Sequence, residues 1–257
     1  MYRRIVSLAP SNTEILYALG VQDRLVAVTR YCDFPKEAKK KPRIGGWLDI
    51  NDELVKSYNP DLILTSTFVQ NKITSRYKKS KMNIVALMPT TLKGVFDSVN
   101  KIGKLFDKEE ESMRLIKSMK NKFNEIENKI KKNRMKKTPK VYIEEWHKPP
   151  TVSGNWVPDL VKIAGGRYDL IKSGTHSKAV TTEQIQKYYP EIIVVSICGM
   201  ADRAPKEWIT KRLGWENLSA VKNDNVFVFD DSLLNRPGPR LVVGLEKLAE
   251  AIHPECF

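Results

Sequence analysis

One stretch of this chain occurs twice. Glu53-Leu-Val-Lys-Ser-Tyr58-Asn-Pro60-Asp61-Leu-Ile-Leu-Thr-Ser66 returns 130 residues later as Glu183-Gln-Ile-Gln-Lys-Tyr188-Tyr-Pro190-Glu191-Ile-Ile-Val-Val-Ser196. Glu, Tyr, Pro, an acid, an apolar pair and a closing Ser coincide in register, and repeats decide architecture before any other signal. Each copy predicts a short helix beginning near the Glu, a Pro that stops it, and a strand. The strands Leu62–Leu64 and Ile192–Val195 are unbroken apolar runs, as expected for parallel strands covered on both faces. The fold class is therefore α/β, with two similar lobes and mainly parallel sheets.

The length agrees: 257 residues at about 150 per domain make one large domain or two modest ones. The predicted first lobe, 1–88, has strands at 5–8, 25–28, 62–64 and 84–87. Its first helix is predicted with Ser11 as N-cap, Glu14 three residues on, and Gly20 as the C-terminal stop. The predicted second lobe, 139–257, has strands at 141–143, 192–195 and 226–229 and closes with a helix over 240–252. Between them, 89–138 carries apolar residues at 92, 95, 99, 102 and 105, then at 113, 116, 119, 123, 126 and 130. That spacing predicts a long rigid helix joining the lobes, with no Gly-Pro-Ser linker and only small rocking between them.

The net charge of +14 invites a nucleic-acid reading. Residues 89–140 hold fifteen Lys and Arg against seven acids, interleaved with Glu109, Glu110, Glu111, Glu125 and Glu127 and almost without aromatics. A solvated helical face accounts for that pattern, and no nucleic-acid partner is expected. No window approaches eighteen consecutive apolar residues. The chain passes from Met-Tyr-Arg-Arg directly into a strand, so an exported protein would need a segment ahead of Met1, and a native start at Met1 would keep it in the cytoplasm. Cys32, Cys198 and Cys256 share no close spacing, which indicates neither a disulfide framework nor a zinc knuckle.

Catalytic signatures are missing. No Gly-x-Gly-x-x-Gly, phosphate loop, His-Glu-x-x-His or Gly-x-Ser-x-Gly occurs. All three histidines, His147, His176 and His253, lie in the second half, so no dedicated metal site and no catalytic cofactor are expected. What stands out is aromatic residues in turn-rich segments: Tyr31, Trp47, Phe68, Trp146 and Trp156. In open α/β sheets ligands bind outside the carboxyl ends of the strands, and most of these rings fall there. A single such ring is most simply explained as a loop packing on its own lobe. Five, from both lobes, predict a ligand cleft between the lobes lined with flat apolar rings. Trp208 and Trp215 read as packing.

The opening Arg4-Ile-Val-Ser-Leu-Ala-Pro-Ser-Asn-Thr-Glu14 with Leu19-Gly20, then Tyr31-x-Asp33-x-Pro35, resembles the cobalamin-type (class III) substrate-binding proteins of ATP-binding-cassette importers. Trp47, Asn59-Pro60-Asp61-Leu62-Ile63, Pro149-Pro150 with Ser153-Gly154, and Ala164-Gly165-Gly166 extend the resemblance across nearly the whole chain. It implies a monomer that captures a metal chelate without altering it and delivers it to a permease dimer. The ligand it implies is cobalamin or another corrinoid; haem, a ferric siderophore and a cobinamide precursor remain open, as does a carrier without a transport role. Tyr31 and Trp47 match ring positions around the corrin; Phe68, Trp146 and Trp156 are near such positions. Arg236 and Arg240, in Asn235-Arg236-Pro237-Gly238-Pro239-Arg240, fall where a family arginine faces the ligand. Glu53 and Glu183 match the glutamates that dock on permease arginines, while a dipole-favoured carboxylate at a helix start explains either one alone.

Overall fold

The computed structural model describes residues 2–133 and 138–257. The chain divides into two compact units, Met1–Pro89 with Lys93–Ser118, and Thr90–Leu92 with Met119–Phe257.

The first lobe alternates strand and helix: β1 (Ile5–Ser7), α1 (Pro10–Ala18), β2 (Leu25–Val28), α2 (Asp52–Ser57), β3 (Leu62–Ser66), α3 (Asn71–Lys79) and β4 (Ile84–Leu87). All four strands are parallel, in the order β2-β1-β3-β4. Successive strand side chains point to opposite faces, and both faces are covered. Ile5, Leu62 and Leu64 pack against Ile15 and Leu16 of α1 and Leu19 at its C-cap. Val6 and Ile63 pack on the other side, against Val55 of α2 and Ile73 and Tyr77 of α3. This double cover is the reason the strands read as unbroken apolar runs.

Two helices follow, α4 (Leu92–Leu105) and α5 (Glu109–Lys132). The single long helix expected from the spacing is thus interrupted by a turn in which Asp107 has φ 55°. The long element is α5, with 24 residues. Residues 134–137, the expected end of this segment, lie outside the described residues.

The second lobe comprises β5 (Val141–Trp146), β6 (Thr151–Val152), α6 (Val157–Ile163), β7 (Lys178–Ala179), α7 (Thr182–Tyr188), β8 (Ile192–Val195), α8 (Glu207–Thr210), α9 (Ser219–Lys222), β9 (Val226–Val228) and α10 (Leu241–Ile252). Its sheet order is β7-β6-β5-β8-β9. β5, β8 and β9 are parallel, and the two-residue strands β6 and β7 run antiparallel at one edge. Those short strands escape sequence reading because two residues carry no period.

The repeat has a precise structural meaning. Asn51 and Thr181, again 130 residues apart, cap α2 and α7: each side chain accepts the N–H three residues on, from Leu54 (3.0 Å) and Gln184 (3.2 Å). Asn59 and Tyr189 both take a positive φ to leave the helix, 44° and 54°. Asp61 then accepts the backbone N–H groups of Arg3 and Arg4, at 2.6 and 2.9 Å, while Glu191 accepts that of Lys140 at 3.0 Å. In return Arg4 donates to the Tyr58 carbonyl (2.6 Å) and Lys140 to the Tyr188 carbonyl (3.0 Å). The repeated acid therefore ties the start of β3 to β1, and of β8 to β5. In α1 the cap differs from expectation. The helix opens two residues earlier on Pro10, whose missing N–H costs nothing at a first turn, and Ala9 holds the cap position without a side-chain bond. Ser11 Oγ instead faces Ser66 Oγ at 3.5 Å.

One ion pair is built into the second lobe. Glu144 is fully buried, and Arg212 grips it with two parallel bonds of 2.6 and 2.7 Å. Tyr142 adds a third donor at 2.9 Å, and the guanidinium lies 4.2 Å from the Trp215 ring centre. Arg212 Nη2 also meets His147 Nδ1 at 2.8 Å, and that imidazole stacks on Trp208. Removing one partner of such a pair strands a buried charge, at a cost of about 3–5 kcal/mol. Arg212→Met should therefore lower the thermal midpoint by roughly 6–20 °C. The double variant Arg212→Met/Glu144→Leu should recover at least half of that loss in a calorimetric scan.

Candidate ligand-binding site

Within each lobe, side chains of interest gather where parallel strands end. In the first lobe β2 runs into Thr29-Arg30-Tyr31, β3 into Thr67-Phe68-Val69, and β4 into Met88. A further turn is joined to β2 by a parallel bridge between Val28 and Arg43 and closed by an antiparallel bridge between Gly45 and Ile50. Gly45 has φ 117°, and a Cβ there would stand 2.3 Å from the Asp49 carbonyl, so only glycine closes this turn. Arg30 pairs with Asp49 across it and sits 6.0 Å from the Tyr31 ring centre.

These loops hold large apolar side chains in solvent. Tyr31, Phe34, Leu48, Phe68, Val69 and Met88 are each 37–55% exposed. Among the described residues of 2–89 they are all of the exposed large hydrophobics, and every one lies in a carboxyl-end loop. Sequence reading picked out Tyr31 and Phe68 and missed Phe34, Leu48, Val69 and Met88. Their place just past a strand or in its adjoining turn is the signal they carry; Leu48, Val69 and Met88 are aliphatic and Phe34 stands beside Pro35, so none is distinguished from core by residue type. Trp47 is half-buried, and its indole N–H is enclosed without a hydrogen-bond partner, as is the Thr67 hydroxyl.

The loops are fastened to one another by Gln70, which is wholly buried. Its Oε1 accepts the Ser66 N–H at 2.9 Å. Its Nε2 donates to the Leu8 carbonyl at 2.8 Å and to the Trp47 carbonyl at 2.9 Å. One amide thus joins the exits of β1 and β3 to the Trp47 turn. Asn12 adds a bond from Nδ2 to the Thr65 carbonyl, 3.0 Å.

In the second lobe Trp146 ends β5, 51% exposed, with its indole N–H bonded to the Lys148 carbonyl at 3.0 Å. Trp156 corrects expectation: it is 3% exposed, and its N–H donates to the Leu234 carbonyl at 2.8 Å. It closes the lobe's interior at the start of α6 and presents no ring face to a ligand. Arg236 and Arg240 are partly buried beside the buried Asp231. Arg240 donates to Ser232 Oγ at 2.9 Å. Asp231 accepts the Gly199 and Ala201 N–H groups (3.0 and 2.8 Å) and so orders the loop after β8. Burial raises its carboxyl pKa, against the lowering effect of those two bonds and of Arg236. Burial likewise raises Glu145, whose Oε2 accepts from Ser153 at 3.1 Å. It also pushes the Cys198 thiol far up. Among the described residues no three His, Cys, Asp or Glu side chains group as metal ligands.

Glu53 and Glu183 sit in the first turns of α2 and α7, and both are exposed. Glu53 pairs with Lys56 at 2.9 Å, and Thr181 lowers the pKa of Glu183 by hydrogen bonding.

Known proteins share this plan. The family model of periplasmic binding proteins matches residues 5–233. The ABC transporter substrate-binding lipoprotein YvrC of Bacillus subtilis (strain 168) is 32% identical over 262 residues, spanning 99% of this chain and 81% of that protein. A vitamin B12-binding protein of Vibrio cholerae serotype O1 is 26% identical over 249 residues, 95% of this chain and 87% of the relative. Among solved structures, a Staphylococcus epidermidis protein described as a possible iron-binding (periplasmic solute-binding) protein superposes with a TM-score of 0.82 at 30% identity. The match covers 98% of this chain and 99% of that one.

Gln70→Leu should unfasten the first-lobe loops. It leaves the Ser66 N–H and two carbonyls without their partner, at about 1–3 kcal/mol for a buried group left unsatisfied. Chemical denaturation should show a loss of at least that size, with a shift in the emission of Trp47.

Proposed function

This chain belongs to the periplasmic binding protein family, and we propose that it captures a corrinoid, cobalamin or a near relative, and releases it unaltered to a permease. At the coarser level it is a substrate-binding protein of an ATP-binding-cassette importer, with a small-molecule chelate as cargo. One observation supports the finer reading: the exposed large apolar side chains of residues 2–89 all lie in strand-exit loops, where Gln70 ties the exits of β1 and β3 to the Trp47 turn. A water-facing apolar edge of that kind matches a broad, flat, largely apolar ligand better than a compact hydrophilic one. The vitamin B12-binding relative supports the corrin within that class. Haem or another iron chelate is the second reading, favoured by the iron-binding description of the Staphylococcus epidermidis protein. The lipoprotein relative supports a working place on the outer side of the cytoplasmic membrane. No helix among the described residues is long and apolar enough to cross a membrane.

In this reading Tyr31, Trp47, Phe68 and Trp146 contact the ring system, and Arg236 and Arg240 supply positive charge for its polar substituents. Stacking on an aromatic ring is worth roughly 1–3 kcal/mol. Trp47→Ala should accordingly weaken binding by about tenfold to a hundredfold. Titration calorimetry against cobalamin, cobinamide, haem and a ferric siderophore tests the assignment. Submicromolar binding of a corrinoid at one site per chain is expected. Absence of heat with both corrinoids, together with tight haem binding, would replace the first reading by the second.

Glu53 and Glu183 are proposed to dock on the permease. Pseudo-symmetric carboxylates suit a two-fold symmetric partner, since each meets the same basic pocket on one subunit. The double change Glu53→Ala/Glu183→Ala should leave ligand affinity and thermal midpoint unchanged and abolish stimulation of the permease's ATPase in proteoliposomes. Normal stimulation by the double variant would refute docking through these residues.

A further inference from the structure

The excess positive charge is confined to one part of the chain. Residues 1–140 carry 30 Lys and Arg against 15 acids, a net +15, while residues 141–257 carry 14 against 15, a net −1. Within the basic part, one segment has no acid at all. Between Leu62 and Phe96 stand Lys72, Arg76, Lys78, Lys79, Lys81 and Lys93, with no Asp or Glu. Five of the six belong to α3 and the turn after it. The helix turns Ile73, Thr74 and Tyr77 inward. Lys72, Arg76, Lys78, Lys79 and Lys81 are all exposed. Positions 72, 76 and 79 fall on one side of a helix of 3.6 residues per turn. With Asn71, Ser75 and Ser80 they line a shallow open shelf in which cations alternate with amide and hydroxyl donors.

Most of this charge is unneutralised. Arg76 pairs with Asp52 at 2.9 Å. Lys72, Lys78, Lys79 and Lys81 form no ion pair among the described residues, and no acid of their own helix is near enough to form one. A solvated helix of an ordinary surface mixes signs; here 35 residues carry six cations and no acid, and the unpaired Lys72 and Lys79 line the shelf with amide and hydroxyl donors between them. Its position is defined as well. Asp52 accepts from both Arg76 (2.9 Å) and the Tyr77 hydroxyl (2.6 Å), so α3 is bonded to the first turn of α2, where Glu53 is the next residue.

We infer that the α3 stripe is a contact surface for anionic phospholipid headgroups beside the permease. The orientation rests on the docking proposed for Glu53; the affinity for an anionic bilayer rests on the stripe alone. A membrane surface rich in anionic lipid attracts each nearby Lys or Arg, and the attraction decays within a Debye length. Lysines on a rigid helix, with hydroxyl donors between them, offer phosphate oxygens both charge and hydrogen bonds. Such a contact would hold the protein on the bilayer plane in which its permease lies, shortening the search for it. Proteins that bind single-stranded RNA commonly interleave stacking rings with their cations. The exposed face of α3 has none, since Tyr77 is turned inward.

Sedimentation with vesicles tests the surface directly. Vesicles of phosphatidylglycerol and phosphatidylcholine should retain the protein at low salt and release it as salt rises; vesicles of phosphatidylcholine alone should not retain it. The variant Lys72→Gln/Lys78→Gln/Lys79→Gln/Lys81→Gln should lose at least tenfold in partitioning. A control carrying Lys162→Gln/Lys172→Gln/Lys211→Gln/Lys222→Gln removes equal charge from exposed positions of the second lobe and should stay within about twofold of the parent. Equal losses would show that only net charge matters, and no retention of the parent would dispose of the surface altogether; either overturns the inference, as does preferential binding of RNA over the vesicles. Circular dichroism of both variants checks folding. Calorimetry with cobalamin on the same samples keeps the two readings apart, because a protein that binds vesicles and no corrinoid refutes the ligand proposal alone.

Discussion

Asp61 holds two strands by their starting ends. Its carboxylate collects the N–H groups of Arg3 and Arg4, and Arg4 answers by bonding the carbonyl that ends α2. Parallel strands cannot be joined by a tight turn, so each must be brought to its neighbour by a helix and stopped in register. The acid after the helix-ending Pro does that stopping, and it does it again with Glu191 and Lys140 in the second lobe. Once the amino ends are pinned, the strands emerge together at the other edge, and the loops there inherit a common base. In the first lobe helices cover both sheet faces, which leaves its exposed apolar side chains to those loops.

Much of this was legible in the sequence, because a repeated helix–Pro–strand unit is a long-range statement written in local residues. Tyr58, Pro60, Asp61 and their partners at 188, 190 and 191 announced two like lobes. Helix α5 was legible in its spacing, whereas the Asp107 turn that separates it from α4 was not; a single positive φ leaves the apolar period on either side almost unbroken. That Tyr31, Phe68 and Trp146 stand at strand exits was legible for the same reason as the fold, since the helix–strand alternation fixes where each strand ends.

Other features depend on contacts between residues far apart in the chain, and these the sequence does not display. Trp156 stands in a Gly-Asn-Trp turn like a site aromatic, yet a carbonyl 78 residues away takes its N–H and makes it interior. Gln70 is one glutamine among ordinary neighbours; its role exists only because Leu8, Trp47 and Ser66 converge on it. The Arg212–Glu144 pair is separated by 68 residues and gives no local sign. In each case the decisive partner is a backbone carbonyl, an N–H group or a lone charge, and none of these has a sequence pattern.

Hydrogen bonding at the first lobe's strand exits is uneven, and the unevenness has direction. Gln70 uses its acceptor and both its donor contacts on backbone, which fixes the Trp47 turn by its carbonyl and leaves the side chain to find its own partner. The Trp47 N–H and the Thr67 hydroxyl are enclosed and unpaired. Thr67 itself is held at φ 62°, a conformation that costs a β-branched residue energy. Buried polar groups are almost always satisfied, so two unpaired groups on adjoining loops are exceptions that the hydrogen bonding of Gln70 does not reach, although it ties down the backbone on either side of them.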